Sequence, residues 1–138
     1  MGLPAAKMGD SIVNAADIHI VLVPSPGGPV PTPQPFPFNG RITMATCPNV
    51  RVNGRPAAVV GSMGQNIPPH IPATGMFQTP PTNLGRVVRG SMSVRFGGRQ
   101  AARATDMCET CHDIPPAGPQ APPPMVVVAG MSTVMVGG

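Results

Sequence analysis

Apolar and polar residues alternate in two short runs, Val50-Arg51-Val52 and Val94-Arg95-Phe96. This is the period-two pattern of a strand with one packed and one wet face. Each run ends in a turn pair, Asn53-Gly54 and Gly97-Gly98, residue types that accept the positive φ of a tight hairpin. Past each turn come an alanine pair, Ala57-Ala58 or Ala101-Ala102, and a corner at Ser62 or Asp106, all at one common offset. A third copy is divided between the chain ends. Residues 130–138 match residues 90–98 and stop at the turn, and Leu3-Pro4-Ala5-Ala6-Lys7-Met8-Gly9-Asp10 supplies what is missing. If the copies are equivalent in space, the termini meet at one hairpin and the chain closes into a pseudo-threefold β arrangement. No segment carries a helical stripe with caps. The fold class expected is all-β, and the length fits one domain over residues 1–138.

The connections between copies change the picture. Residues 24–38, 66–83 and 114–124 are Pro-rich and are expected to wrap the surface as extended, polyproline-like loops. With 21 Pro and 17 Gly in 138 residues, the composition approaches that of a disordered chain. Against disorder stand 41% hydrophobic residues and only 10% charged ones. A core of Val, Ile and Met, with no Trp or Tyr, is small and is expected to need a metal, a partner subunit or both. The net charge is +4, and every basic residue but Lys7 is Arg. No basic block interleaves with aromatics, so no nucleic acid is expected as a partner. The N-terminus lacks a charged segment followed by an apolar one, so no signal peptide is expected. The longest apolar run near the C-terminus, residues 125–129, is too short to span a bilayer. Synthesis in the cytoplasm follows, with any export by another route.

Three cysteines, Cys47, Cys108 and Cys111, stand beside three histidines, a poor disulfide framework and a better metal set. After the corner at Asp10 comes His19; after Ser62, His70; after Asp106, Cys108, Cys111 and His112. Threefold symmetry brings these loops together on the axis, where imidazole and thiolate suit tetrahedral zinc. The ligands expected are His19, His70, Cys108 and Cys111, because Cys-x-x-Cys spacing chelates from a turn. His112, adjacent to Cys111, is the substitute. Such a closed set reads as structural. Cys47 is expected as a small buried thiol. The five acids, Asp10, Asp17, Asp106, Glu109 and Asp113, include no pair placed for acid–base work. Asp10, Ser62 and Asp106 read as corner residues that bond their own backbone. With no nucleophile motif or phosphate loop, no enzyme is expected and no residue is assigned as catalytic.

Pro4-Ala5-Ala6-Lys7, Pro56-Ala57-Ala58-Val59 and Gln100-Ala101-Ala102-Arg103 resemble the proline-alanine-alanine-arginine (PAAR) repeat of PAAR-domain proteins. Only the last ends in Arg and only the first two begin with Pro. The Gly-Asp corners, the Val-x-Val-x-Gly strands, His19-Ile20-Val21 and Pro68-Pro69-His70-Ile71-Pro72 strengthen the resemblance, which spans nearly the whole chain and leaves no room for an attached effector domain. It implies a small cone of short β-strands and β-hairpins with long Pro-rich loops and zinc near its point. The cone would cap and sharpen a trimeric β-helical spike, one tip per trimer, in a contractile injection system: type VI secretion, an extracellular injection particle or a phage tail. The tip would be assembled on the particle, delivered outside the cell or into a target, meet the target membrane transiently, and be able to carry effector cargo. By position His19, His70 and Cys111 match the family's ligands, whereas Phe36 stands where relatives often have a further His. A different reading, a zinc-dependent nucleic-acid or protein-binding adaptor built on Cys108, Cys111 and the Arg-rich strands, needs no divided third copy.

Overall fold

Three hairpins carry the repeated motif. In the computed structural model, β1 (Leu3–Pro4) pairs antiparallel with β13 (Met135–Val136), β4 (Cys47–Val52) with β5 (Arg55–Ala57), and β9 (Arg95–Phe96) with β10 (Arg99–Gln100). The structure describes residues 2–113, 124–128 and 132–138. The chain ends therefore meet, Leu3 opposite Val136 and Pro4 opposite Met135, as a third copy divided between the termini requires. Gly130 and Met131 of that copy, and most of the expected loop over residues 114–124, lie outside the described residues. Among the described residues every regular element is a strand, and no helix is long and apolar enough to cross a membrane.

The alanine pairs explain how the copies join. The Ala6 N–H donates to the Ala102 carbonyl (2.9 Å), Ala58 to Ala6 (3.0 Å) and Ala102 to Ala58 (3.0 Å), a closed ring of three hydrogen bonds about a pseudo-threefold axis. The bridges Ala5↔Arg103, Lys7↔Ala57 and Val59↔Ala101 repeat the same cycle. All six alanines are fully buried, because at close-packed density only methyl side chains fit where three backbones cross. Ala5, Ala57 and Ala101 pack toward the hairpins with Val52 and Val136. Ala6, Ala58 and Ala102 face the other way, into Ile12, Phe38, Ile42, Val87 and Val126.

Each corner is built alike. The backbone N–H groups of Lys7, Val59 and Arg103 donate to the side chains of Asp10 (2.9 Å), Ser62 (2.9 Å) and Asp106 (2.7 Å). Gly9, Gly61 and Thr105 supply the positive φ of the turn, 97°, 97° and 69°. Polar corner residues are buried here because each one satisfies a backbone donor at the bend.

Beyond the corners the chain forms a curled sheet: β11 (Cys108–Glu109), β8 (Leu84–Val87), β6 (Met63–Asn66), β3 (Val30–Met44), β2 (Ser11–Val23) and β12 (Met125–Val127), in that spatial order. Its ends are joined by the Met107↔Met125 bridge and by the Cys108 N–H on the Pro124 carbonyl (3.0 Å). A short strand, β7 (Met76–Phe77), adds to β2 at Val21 and Leu22. The result is the small all-β, pseudo-threefold cone expected from the repeats.

One expectation is corrected. Residues 30–38 are not loop but the first half of β3, paired with β2 from Val23↔Val30 to Asn14↔Phe38. Pro31, Pro33, Pro35 and Pro37 occupy every second position. In an antiparallel ladder successive residues turn their N–H groups to opposite sides, so all the missing donors fall on the side away from β2. Thr32, Gln34 and Phe36 keep theirs. A run that reads as polyproline is therefore a sound edge strand, and one with few donors to offer a foreign strand.

The axis is filled by Phe38, 1% exposed. A Cβ at Gly85 would stand 3.0 Å from its ring and 3.2 Å from Ile12. A Cβ at Gly64 would meet the Arg41 carbonyl oxygen at 2.7 Å. Both positions lack a side chain because neighbouring strands and this one ring take the space.

Candidate metal centre

On β2 the burial alternates from Ile12 to Asn14, then changes phase: Asp17, His19 and Val21 are the buried residues beyond. The cause is a bulge. Asn14 faces Phe38 and Asp17 faces Phe36, three steps on β2 against two on β3. The extra residue swings Asp17 and His19 to the inner side, where a regular strand would have turned them out. Both are fully buried. Asn14 steadies the bulge, its Oδ1 accepting the Ala16 N–H (3.2 Å).

Two further segments, around His70 and Cys111, deliver partners. Asp17, His19, His70 and Cys111 place one donor atom each within 4.8 Å of one another, a group that could hold a metal ion. Asp17 Oδ2 lies 3.2 Å from His70 Nε2 and 3.5 Å from Cys111 Sγ, and Cys111 Sγ lies 3.6 Å from His19 Nε2. The other Asp17 oxygen, Oδ1, accepts from Asn14 Nδ2 (2.8 Å) and from the Thr110 hydroxyl. Asn66 Oδ1 takes the Asn39 N–H (2.9 Å), which turns its Nδ2 toward His70 Nδ1 (3.2 Å). With Nδ1 accepting, the ring proton sits on Nε2 and is donated to Asp17. His19 Nδ1 is buried without a hydrogen bond, although Asp113 Oδ1 stands 3.3 Å away, off the line a bond requires. Phe36 and Phe77 cover the imidazoles, their rings centred 5.9 and 5.6 Å from that of His19.

Of the residues expected as ligands, His19, His70 and Cys111 are brought together. Cys108 is not in the group. It is 4% exposed in the apolar cluster with Ile12, Phe38 and Val126, its Sγ directed at the Asp106 carbonyl (3.7 Å). Cys108 stands two residues past its corner, where the other copies place Ile12 and Gly64, so the repeat assigns it to the apolar layer beneath the centre. On a strand, Cys-x-x-Cys spacing turns the two thiols to opposite sides. His112 also lies outside the group. Cys47 is buried in β4. The residue that sequence reasoning missed is Asp17. Its signal was the Asp-x-His spacing of Asp17 and His19, which puts both on one face of a strand.

Burial pushes the Cys111 thiol up to about 12, and the Asp17 carboxylate acts in the same direction. Burial lowers the His70 pKa below 6.5, against the hydrogen bond it donates to Asp17, which raises it. Without a metal, burial thus favours the neutral His70 imidazole and the protonated Cys111 thiol.

Residues 77–138 match the PAAR motif family. Over that part the chain is similar to PAAR-repeat proteins. The matched part holds the uninterrupted copy around Ala101-Ala102 and the C-terminal half of the divided one. The other two alanine pairs, outside the matched part, close the same hydrogen-bonded ring with it. No curated protein and no solved structure matches the chain. The PAAR motif is associated with the spike tip of contractile injection systems.

Proposed function

We propose that residues 1–138 act as one PAAR-like unit, a non-enzymatic tip that caps and sharpens a trimeric β-helical spike of a contractile injection system. One tip sits on each trimer, is delivered with the particle into or beyond a target envelope, and can carry effectors. The observation that carries this reading is the ring of Ala6, Ala58 and Ala102. It gives a single chain the symmetry of a three-chain partner. On the hairpin side of that ring, Val50, Val94 and Val134 are half-buried and pack against Ala5, Ala57, Ala101, Val52 and Val136. Short hairpins with apolar inner faces and open edges suit a partner that covers them.

The far end of the axis is where too few side chains remain to form a core, and a zinc ion there would cross-link three loops. Asp17, His19, His70 and Cys111 fit such an ion. Zinc with bonds of about 2.0–2.3 Å in a tetrahedron separates a sulfur from an oxygen or nitrogen ligand by about 3.6 Å, and two light ligands by about 3.3 Å. The distances of 3.5 and 3.6 Å from Cys111 and of 3.2 Å from Asp17 to His70 support that geometry. One thiolate and one carboxylate neutralise a divalent ion, which limits the cost of burying it. Four protein donors complete the tetrahedron, so the ion's contribution is structural. Binding through His70 Nε2 requires its proton to move to Nδ1, facing Asn66.

Co-expression with a trimeric spike protein followed by native mass spectrometry tests the assignment. The expected complex holds three spike chains and one tip, and is lost in Val94→Asp. A tip that stays unbound at every ratio, or binds three per trimer, overturns it. Elemental analysis is expected to give one zinc per chain.

A further inference from the structure

Counting four residues from each corner reaches Asn14, Asn66 and Thr110, all buried. These are equivalent positions of the three copies and form one polar layer between the apolar core and the ligand group. Two of the three converge on Asp17. Asn14 Nδ2 donates to Asp17 Oδ1 (2.8 Å) and to Thr110 Oγ1 (2.9 Å), and the Thr110 hydroxyl donates to the same Oδ1. The Asn14 carboxamide cannot turn away cheaply, because its Oδ1 is held by the Ala16 N–H within the bulge.

A carboxylate has two oxygens of equal basicity and can hold a cation through one or both. Here one oxygen is saturated by an amide and a hydroxyl, and only Oδ2 faces His70 and Cys111. We propose that Asn14 and Thr110 are positioning residues that restrict Asp17 to a single donor oxygen, keeping the centre four-coordinate. This rests on the metal reading above. The bulge and the polar layer work together: the bulge brings a carboxylate inside, and the layer fixes which of its atoms the ion meets. Asn66, the third member, donates to His70 Nδ1 (3.2 Å) from the same layer.

The test loads the full-length protein with cobalt(II), whose visible absorption separates four- from five-coordinate sites, and measures zinc affinity by competition with a chelator. Thr110→Val keeps the shape of the side chain and removes the hydroxyl. It is expected to weaken zinc roughly 10–100-fold and to replace the strong tetrahedral cobalt bands by the weaker ones of a higher coordination number. Thr110→Ser should restore both readings, and the circular dichroism of metal-free Thr110→Val should match wild type. A Thr110→Val protein with wild-type cobalt bands and zinc affinity overturns the positioning role while leaving the metal centre standing. A wild-type protein that takes up neither ion, or an Asp17→Asn variant that binds both as wild type does, overturns the metal reading and the positioning role with it.

Discussion

The two cysteines of the Cys-x-x-Cys run separate the geometry from the spacing most sharply. If zinc is present at about a thousand times its dissociation constant, it stabilises the fold by about 4 kcal/mol. For a domain of this length each kcal/mol moves the melting midpoint by roughly 3–5 °C, so chelation should lower wild type by roughly 12–20 °C. Cys108→Ala removes a sulfur from a packed apolar cluster in which Cys108 is 4% exposed. That costs about 1–2 kcal/mol for lost burial and the small cavity. The loss falls on the loaded and the stripped protein alike, so the gap between them stays. Cys111→Ala removes a donor 3.5 Å from Asp17 and 3.6 Å from His19, and the gap should shrink to a few degrees at most. Differential scanning fluorimetry with zinc and with chelator reads all three proteins in one experiment. A Cys108→Ala protein that loses its zinc-dependent shift, or a Cys111→Ala protein that keeps it, refutes the assignment.

Other outcomes follow from the fold and its titrating groups. Gly64→Ala places a Cβ 2.7 Å from the Arg41 carbonyl oxygen and 2.9 Å from that of Gly40, both backbone atoms of the paired strand. The loss should exceed about 3 kcal/mol, read as a lower urea midpoint or a collapse in soluble yield. Ser62→Ala orphans the buried Val59 N–H, which has Ser62 Oγ at 2.9 Å, and should cost about 1–3 kcal/mol by the same measurement. In the metal-free protein burial raises Cys108 and Cys111 from 9.0 to about 12. The folded state then binds more protons than the unfolded one, so stability is complete below pH 9 and falls as the pH rises toward 12. His70, lowered from 6.5, acts at the other end: its contribution is complete above that pH and is lost as the pH falls below it. Urea midpoints across the pH range, with chelator present, should trace this dome.

The threefold plan was legible because it is written in one-dimensional order. Alanine pairs, turn glycines and corner residues recur at matching offsets, and a copy missing its second half at one terminus has it at the other. Backbone chemistry at those positions is local, so sequence sufficed to place the hairpins, the corners and the meeting of the chain ends. It also pointed to His19, His70 and Cys111, since symmetry brings their loops to the axis. The Pro-rich run over residues 30–38 misled because composition conceals phase: four prolines one residue apart leave a complete row of donors toward β2, which only the pairing with that strand makes use of. Asp17 lies in the clustered group and Cys108 outside it for a similar reason. A single extra residue between Asn14 and Asp17 reverses which side chains face inward, and no residue type marks it. Cys108 carries the chemistry of a ligand, yet its place in the repeat is that of Ile12 and Gly64, and packing about the axis, not side-chain type, decides what a position can reach. Sequence alone thus determined the repeat and the symmetry, and named His19, His70 and Cys111 of the group that the fold brings together; Asp17 joins them through a bulge whose cost and benefit exist only once β2 lies against β3.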